Sequence, residues 1–493
     1  MDFPVSLDPS LETPIYRQLS NAMRTAITSG RLKPGDLLPS TPEMSKMLGL
    51  ARATVVRSYD DLEGQGFIET VSGKGTFVSR RLPAHVLQSK LPDFPAGAVN
   101  LEPPTALLSE YAQTLIRVPF VRSTSADRPE LNYGSAPLDQ LPLRQWRELL
   151  IAHSRSASAD TYSYVTEPFG HRPLREAIAY YLARSKAVRC SPEQVIIFPG
   201  SQHPLYHVAQ ILLDKGDRVV IENPGYVGAR ENFMARGAQM FPIDVDENGI
   251  RVEDLKRSDI TCKFVYVAPT YHDPTGAAMS LERRKQLLEW AQHKGSLVVE
   301  DAFDSDYRYF GQPLPSLQSL DENGNVLYIY SMWKTLYPLS AVGVLVVPHR
   351  LISLFERVKL LAERQLPALE HLALTDFITE GHLERHMKRV RAVYAKRRQT
   401  LIHVLSLQFR SSVKVPKQSA ALHLMLRLKC DLPAEQIMAR ARVANLPLVS
   451  TELYYAENPR PDEFLVAFAS LNDDEIEGNV AAWARSLGYT GND

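Results

Sequence analysis

Four polar motifs between residues 199 and 335 each follow a run of residues typical of a buried strand. They are Pro199-Gly200-Ser201-Gln202, Tyr226 in Asn223-Pro224-Gly225-Tyr226, Asp301, and Lys334 in Ser331-Met332-Trp333-Lys334-Thr335. A lysine amine can form a Schiff base with an aldehyde. A helix that opens after Gly-Ser offers backbone N–H groups to a phosphate. An aspartate can keep a pyridine nitrogen protonated, and a tyrosine can stack on a planar ring, so the set is typical of a site for a phosphorylated ring aldehyde.

Each motif alone is weak evidence for such a site. A single lysine after a strand usually lies on the surface, and a tyrosine after Pro-Gly usually packs against its neighbours. The case depends on their order, because every one of them comes at the C-terminal end of a predicted strand. Ligands of open α/β sheets bind at that end.

The elements that would position these motifs alternate from about residue 132 onward. Apolar strands alternate with amphipathic helices, which predicts an α/β domain with a largely parallel sheet flanked by helices. The strands are predicted over 194–198, 218–222, 264–268, 297–301, 326–330 and 343–347.

Residues 12–79 carry a different pattern, with three short helices followed by a hairpin. One helix opens at Thr13-Pro14, and a second opens at the capping-box sequence Ser40-Thr41-Pro42-Glu43. A third is predicted over 52–62, and two β-rich runs flank the turn 72–75. This order predicts an N-terminal winged helix-turn-helix domain.

In such a domain the third helix enters the major groove of DNA. We expect Val55, Val56, Tyr59 and Leu62 on its buried face, and Thr54, Arg57, Ser58 and Asp61 on the opposite face. The predicted DNA contacts are Ser40, Thr41, Arg52, Thr54, Arg57, Ser58, Lys74 and Gly75. The alternative is a small helical module that binds protein, since residues 1–80 hold nine basic and nine acidic side chains. Residues 44–59, however, carry Lys46, Arg52 and Arg57 without an acid.

Composition sets wider bounds on the chain. With 493 residues, two domains are expected, and 56 basic residues balance 56 acidic ones, so bulk charge does not indicate nucleic-acid binding. Three scattered cysteines without metal-ligand spacing, and the lack of an apolar spanning run, predict a cytoplasmic protein with no membrane contact. The predicted domains are 1–80 and 131–493, joined by a proline-rich linker over 81–130 with a helix near 105–116.

Two sets of motifs resemble known families. PIYRQL, GRLKPGDLLPST and LGLARATVVRSYDDLEGQGFIETVSGKGTFV resemble the GntR regulators. FGHRPLREAI, PGSQHPL, ENPGYVGAR, APTYHDPTG, EDAFDSDYRY and SMWKTLYP resemble fold-type I aminotransferases. Together they resemble the MocR/GabR type of GntR regulators, which implies a double-stranded DNA operator, a small amino compound as effector and a head-to-tail homodimer.

The same resemblance implies roles for the motifs of the large domain. Lys334 would hold pyridoxal 5'-phosphate covalently, Asp301 its ring nitrogen and Tyr226 its ring face. Asp273 would lie beside its phenolic oxygen. The phosphate would be held by Ser201, Gln202, Ser331 and, from the partner subunit, Tyr164.

Five positions depart from the patterns of these families. Phe303 replaces a tyrosine and Asp273 an asparagine near the phenolic oxygen, Ala341 replaces the arginine that clamps the phosphate, and Leu465 replaces the arginine for a substrate carboxylate. Pro42 replaces an arginine of the DNA-binding arm. An ionised Asp273 cannot donate a hydrogen bond. Substitute donors could come from His203, His272, Arg230 or Arg172.

Three functions fit these patterns. The first is a regulator whose large domain senses pyridoxal phosphate or an amino compound and is not an enzyme. The second is a working aminotransferase with a DNA-binding arm. The third is a regulator whose large domain has lost the cofactor. The departures around Lys334 favour the first.

Overall fold

The computed structural model describes residues 7–8, 11, 13–81, 108–119, 138–157, 167–302, 306–309, 314–363, 367–416 and 422–489. The chain divides into two compact units, 1–103 and 104–493. Most of the predicted linker lies outside the described residues, so its limits stay a prediction.

The first unit is a three-helix domain with a small sheet, as predicted. Its elements are α1 Ile15–Thr28, β1 Leu37–Leu38, α2 Thr41–Leu48, α3 Arg52–Gly64, β2 Ile68–Val71 and β3 Gly75–Val78. The hairpin β2–β3 gains a third strand that the sequence analysis did not predict, because β1 pairs antiparallel with β3. Helix α2 begins with the expected capping box between Ser40 and Glu43 and ends at Gly49 in the left-handed conformation.

The rotation of α3 differs from the prediction. Val55, Tyr59 and Leu62 are buried, but Val56 is 36% exposed and Ser58 is fully buried. The reason is the packing of α1 against α3, where the hydroxyl oxygens of Ser20 and Ser58 lie 3.1 Å apart. Two small polar side chains that satisfy each other allow the two helices to approach closely.

The second unit is built around an eight-stranded sheet. Its strands are β4 Val195–Pro199, β5 Arg218–Asn223, β6 Gln239–Asp246, β7 Gly249–Ile250, β8 Phe264–Val267, β9 Leu297–Asp301, β10 Val326–Ser331 and β11 Val342–Val346. Their order is β4-β11-β10-β9-β8-β5-β6-β7. The pairs from β10 to β6 are parallel, whereas β11 runs antiparallel to both of its neighbours and β7 runs antiparallel to β6.

Helices cover both faces of this sheet, and others pack against one another or against a smaller sheet. They are α4 Glu110–Arg117, α5 Leu143–Ser156, α6 Arg172–Lys186, α7 Gln202–Leu212, α8 Val227–Ala235, α9 Val252–Ser258, α10 Leu281–Lys294, α11 Leu317–Leu320, α12 Trp333–Leu336, α13 Ile352–Ala362, α14 Ala368–Thr379, α15 His382–Phe409, α16 Ala434–Val443 and α17 Asp473–Ser486. Along β4, Val195 and Ile197 join one apolar cluster, and Ile196 and Phe198 join another on the opposite face. A strand buried on both faces has a continuous apolar sequence, which is why the predicted strand limits agree closely with these.

A smaller antiparallel sheet follows the long helix α15. It has the order β12-β13-β15-β14, with β12 Val413–Lys414, β13 His423–Leu428, β14 Leu448–Ser450 and β15 Glu463–Ala467. None of the described helices combines the length and the apolar character needed to cross a membrane.

Candidate functional site

The polar motifs meet at one edge of the large sheet. Strands β4, β5, β8, β9 and β10 run in the same direction, so their carboxyl ends lie side by side. Because β11 is antiparallel, its first residue, Val342, pairs with Pro199 at the end of β4. The turn that contains Ala341 therefore lies at the same edge as the loop after β4.

Asp301 is buried at the end of β9 and is held by a tyrosine of the neighbouring strand. The hydroxyl of Tyr266 donates a hydrogen bond of 2.6 Å to Asp301 Oδ2. Burial raises the pKa of Tyr266 well above its ordinary value, and the Asp301 carboxylate raises it further. Tyr266 therefore stays a donor and fixes the rotation of the carboxylate, a role the sequence analysis did not assign.

Tyr226 lies immediately before α8 and contacts the loop after β4. Gln202 Nε2 donates a 2.5 Å hydrogen bond to the Tyr226 hydroxyl. A Cβ atom on Gly228 would come within 2.5 Å of Gln202 Nε2 and 2.8 Å of the Tyr226 hydroxyl oxygen. Burial raises the pKa of Tyr226, and the carboxylates of Asp301 and Asp273 add to this rise. The glycine thus leaves room for two predicted cofactor ligands to contact each other.

The loop Gly200-Ser201 leads into α7 and lies against β11. Gly200 has a φ of +85°, and a Cβ atom on Gly343 would be only 2.0 Å from the Gly200 carbonyl oxygen. Ser331 is buried at the end of β10, where its Oγ accepts a 3.1 Å hydrogen bond from the Trp333 amide. The close approach of two backbones at Gly343 therefore holds the loop at the N-terminus of α7, where an anion is favoured.

Lys334 lies in α12, directly after β10. Its carbonyl oxygen accepts a 2.6 Å hydrogen bond from the Tyr307 hydroxyl, which fixes the backbone of this short helix. Burial lowers the pKa of His423 on β13 to about 3, and the positive charge of Lys334 contributes to the shift. The imidazole of His423, from the smaller sheet, is therefore neutral in the neighbourhood of Lys334.

Asp273 belongs to a cluster of buried ionisable groups. Its Oδ1 lies 3.7 Å from His423 Nε2. Burial raises the pKa of Glu222 to about 8; the hydrogen bond from the Ala268 amide opposes this rise, and the carboxylates of Asp301 and Asp273 add to it. Burial also lowers the pKa of His272 to about 3. Near neutral pH, Glu222 and both histidines are therefore uncharged.

Each of the four substitute donors has at least one partner in the structure. Arg230 donates hydrogen bonds to the carbonyl oxygens of residues 453 and 454, and Arg172 forms ion pairs with residues 176 and 193. His203 Nδ1 lies 3.0 Å from a carboxylate oxygen of Glu363, and His272 Nδ1 lies 2.7 Å from the Thr275 hydroxyl.

Leu465 replaces the expected arginine with an apolar contact. Its side chain is fully buried on β15 with Met425, Val449 and Tyr454, and Val227 of α8 packs against this group. Ala341 lies beside Gly200 and brings no donor to the loop. Tyr164 and Phe303 lie outside the described residues.

The first unit presents most of the predicted DNA contacts at its surface. Arg52 and Arg57 on α3 are exposed, as is Lys74 in the turn of the hairpin. The guanidinium of Arg57 lies 4.2 Å from the centre of the Tyr16 ring. Thr54 and Thr41 are half-buried.

Two of the predicted DNA contacts have particular surroundings. Gly75 has a φ of +111°, and a Cβ atom there would lie 2.9 Å from Leu37 Cδ1, so the turn requires glycine. The Ser40 hydroxyl accepts a 3.4 Å hydrogen bond from the Glu43 amide and donates one of 2.8 Å to the Glu43 carboxylate. It therefore caps its own helix, which leaves backbone N–H groups as the means of binding a phosphate there.

Ser58 is a wrong prediction as a DNA contact. Its side chain is fully buried against Ser20, for the packing reason given above. Val56, predicted to be buried, takes a place on the exposed face, four residues after Arg52. An apolar side chain on this face is of the type that contacts thymine methyl groups, and the apolar pattern of the helix did not indicate its exposure.

Two protein-family models match the chain, one within each of its two units. Residues 130–477 match the model of aminotransferase class I and II, and residues 15–78 match that of bacterial regulatory proteins of the gntR family. The probable rhizopine catabolism regulatory protein MocR of Rhizobium meliloti is 32% identical over 96% of this chain and 94% of its own.

Two further matches agree with this one. The pyridoxine biosynthesis transcriptional regulator PdxR of Corynebacterium glutamicum is 27% identical over 97% of each chain. The kynurenine aminotransferase of Pyrococcus horikoshii is 25% identical with a TM-score of 0.68, over 79% of this chain and 97% of its own. The chain therefore belongs to the MocR type of gntR-family transcriptional regulators, which join a helix-turn-helix DNA-binding domain to an aminotransferase-like domain.

Proposed function

We propose that this regulator binds pyridoxal 5'-phosphate covalently through Lys334 and responds to a small amino compound without working as an aminotransferase. One observation carries the proposal. The sheet edge assembles the lysine, the buried aspartate and the stacking tyrosine, while the position of the substrate-carboxylate arginine is filled by Leu465 in an apolar cluster. Side chains of the types that would hold the cofactor lie at this edge, whereas the proposed position of a group needed for turnover holds a leucine.

The surroundings of each proposed ligand fit the cofactor. Asp301, oriented by Tyr266, would face the ring nitrogen, and Tyr226, held by Gln202, would cover the ring face. Ser201, Gln202 and Ser331 would hold the phosphate at the N-terminus of α7. The cofactor supplies an aldehyde that captures amines.

The phenolic oxygen is the least favourable contact. A carboxylate at Asp273 would repel a phenolate, whereas a protonated one could donate a hydrogen bond to it. Asp273 shares its buried surroundings with Glu222 and lies 3.7 Å from a neutral His423. A hydrogen bond from this position to the phenolic oxygen would require the neutral form of Asp273.

In the first unit, the proposed DNA contacts are those that remain at or near the surface. Arg52, Arg57 and Thr54 would contact bases in the major groove or position α3 within it. Lys74 and Gly75 would place the hairpin turn against the DNA backbone. Ser40 and Thr41 would meet a phosphate through the N-terminus of α2. An effector that binds two conformations of the large unit unequally would shift how the DNA-binding domains meet the operator.

Absorbance spectroscopy tests the cofactor. Purified protein with added pyridoxal 5'-phosphate should develop a visible absorption band that is absent from Lys334→Ala and retained in Lys285→Ala, an exposed lysine of α10. A protein with no band under excess cofactor would contradict the proposal and favour the regulator that has lost it. Sustained transamination of any amino acid would instead favour the aminotransferase.

Assembly is a separate part of the proposal. We propose a head-to-tail homodimer in which Tyr164 of the partner subunit reaches the phosphate. Sedimentation should give twice the chain mass. Tyr164→Phe should weaken cofactor binding without changing the sedimentation coefficient.

A further inference from the structure

A cavity of about 490 Å³ lies between the large sheet and the smaller sheet. Its lining includes none of the residues proposed to hold the cofactor, although Asn223 and Thr275 lie close in sequence to Tyr226 and Asp273. A volume of this size accommodates a small metabolite. The cavity is therefore a candidate for a ligand site separate from the cofactor.

Three neighbouring charged residues of the lining, Arg427, Arg460 and Glu463, carry an excess of positive charge. Arg427 and Arg460 both form ion pairs with Glu463, at 2.6 and 3.3 Å. Glu463 is buried and also accepts a 2.5 Å hydrogen bond from the Tyr455 hydroxyl. One carboxylate cannot neutralise two guanidinium groups, and the Arg460 side chain is 53% exposed, so it can turn to an anionic ligand.

Elsewhere in the lining, the exposed side chain of Asp244 carries an excess of negative charge. Its Oδ1 accepts a 2.9 Å hydrogen bond from Asn223 Nδ2, and no basic side chain in the described part of the chain forms an ion pair with it. The other charges of the lining are balanced, because Arg251 pairs with Asp254 and Asp246 pairs with Arg283.

We infer that this cavity binds a free amino acid, with its carboxylate at Arg460 and Arg427 and its ammonium group at Asp244. A lining with both a positive and a negative group that lack full compensation complements a zwitterion and disfavours a simple anion or cation. Met425 and Val245 supply apolar surface for the side chain of the ligand. The site is independent of Lys334 and adds to the proposed function a second place where an amino compound acts.

Asn223 connects this cavity to the loop that carries Tyr226. Its side-chain oxygen accepts a 2.9 Å hydrogen bond from the Ala456 amide, and its Nδ2 also donates to the Glu457 carbonyl oxygen at 3.2 Å. A ligand that binds Asp244 would compete with the Asn223 side-chain amide for the Asp244 carboxylate. Occupancy of the cavity would thus change how the loop after β5 is held to the segment before β15.

Calorimetric titration of the full-length protein with each proteinogenic L-amino acid tests the inference. At least one should bind, and Asp244→Asn and Arg460→Gln should each weaken that binding at least tenfold. Asp259→Asn and Arg144→Gln, exposed ion-pair residues outside the lining, should leave it unchanged. The amide of the same amino acid and its N-acetyl derivative, which lack one charge each, should bind at least tenfold more weakly.

Lys334→Ala separates this site from the proposed cofactor site. Amino-acid binding should persist in Lys334→Ala, even though the absorption band is lost. The inference is wrong if no amino acid binds. It is also wrong if binding disappears in Lys334→Ala but survives in Asp244→Asn and Arg460→Gln, since the ligand would then occupy the cofactor site.

Discussion

The orientation and surroundings of individual side chains at the sheet edge depend on neighbours that are far away in sequence. Tyr266 orients Asp301 from the adjacent strand, and His423 lies beside Asp273 from the smaller sheet. The positions of Asp301 and Lys334 could be predicted, because each follows an apolar strand. Their partners could not, since a tyrosine within a buried strand and a histidine in a second sheet carry no local pattern that indicates what they contact.

Replacing Tyr266 by phenylalanine should weaken the cofactor site. A hydrogen bond to a charged group contributes about 1.5–3 kcal/mol, so we expect the dissociation constant for pyridoxal phosphate to rise about 10- to 100-fold. Titration of the visible absorption band measures it. Tyr328→Phe, a buried tyrosine of β10 without a bond to Asp301, is the matched control. Equal effects of the two variants would show that Tyr266 acts only through packing.

Glu222 should make the stability of the protein fall as pH rises. Its folded pKa of about 8 lies above its ordinary value of 4.5, so the folded state holds an extra proton between these values. The contribution is fully present below 4.5 and is lost toward pH 8, at up to about 1.4 kcal/mol per pH unit.

Glu222→Gln removes this titration. In denaturant unfolding, the free energy of unfolding of the variant relative to the wild type should therefore rise between pH 6 and pH 8. A pH-independent difference between the two proteins would contradict the assignment.

At the scale of elements, helix and strand limits follow from the sequence, but rotation and sheet edges do not. The limits of α3 were predicted closely, yet its exposed face was not, because the contact with α1 selects Ser58 over Val56. Strand β6 was not predicted, because it is only partly buried and includes Pro242 and two aspartates. The smaller sheet was missed as well, although β13 and β15 are largely buried.

Two substitutions in α3 should therefore change different properties, one the affinity for the operator and the other the stability of the first unit. Arg52→Ala should weaken operator binding by about 1–3 kcal/mol, with little change in thermal stability. Ser58→Ala should lower the stability of the first unit by about 1 kcal/mol, with operator affinity of the folded protein retained. Gel-shift titration and calorimetry measure the two quantities. A loss of affinity in Ser58→Ala at a temperature where it is fully folded would restore Ser58 as a contact.

At the scale of the whole molecule, each unit has its own apolar core. The core of the first unit includes Leu19, Met23, Met44, Val55 and Leu62, all fully buried. The clusters of the second unit form around its two sheets and their helices. Separate cores predict separate unfolding transitions.

Leu62→Ala should lower one of these transitions alone. Removing a buried leucine side chain decreases the free energy of unfolding by about 2–5 kcal/mol. Differential scanning calorimetry of the full-length chain should show one transition shifted in Leu62→Ala and the other in Leu424→Ala, a leucine buried in the second unit. A shift of both transitions in either variant would show that the units unfold together.

The apolar surroundings of Leu465 also limit what a single substitution at this position can achieve. A guanidinium introduced at this position would be buried among Met425, Val449 and Tyr454, where an unpaired charge is strongly disfavoured. An arginine introduced alone at this position would therefore destabilise this corner of the smaller sheet rather than supply a clamp for a substrate carboxylate. Engineering a transaminase from this chain would require the apolar neighbours of position 465 to change together with it.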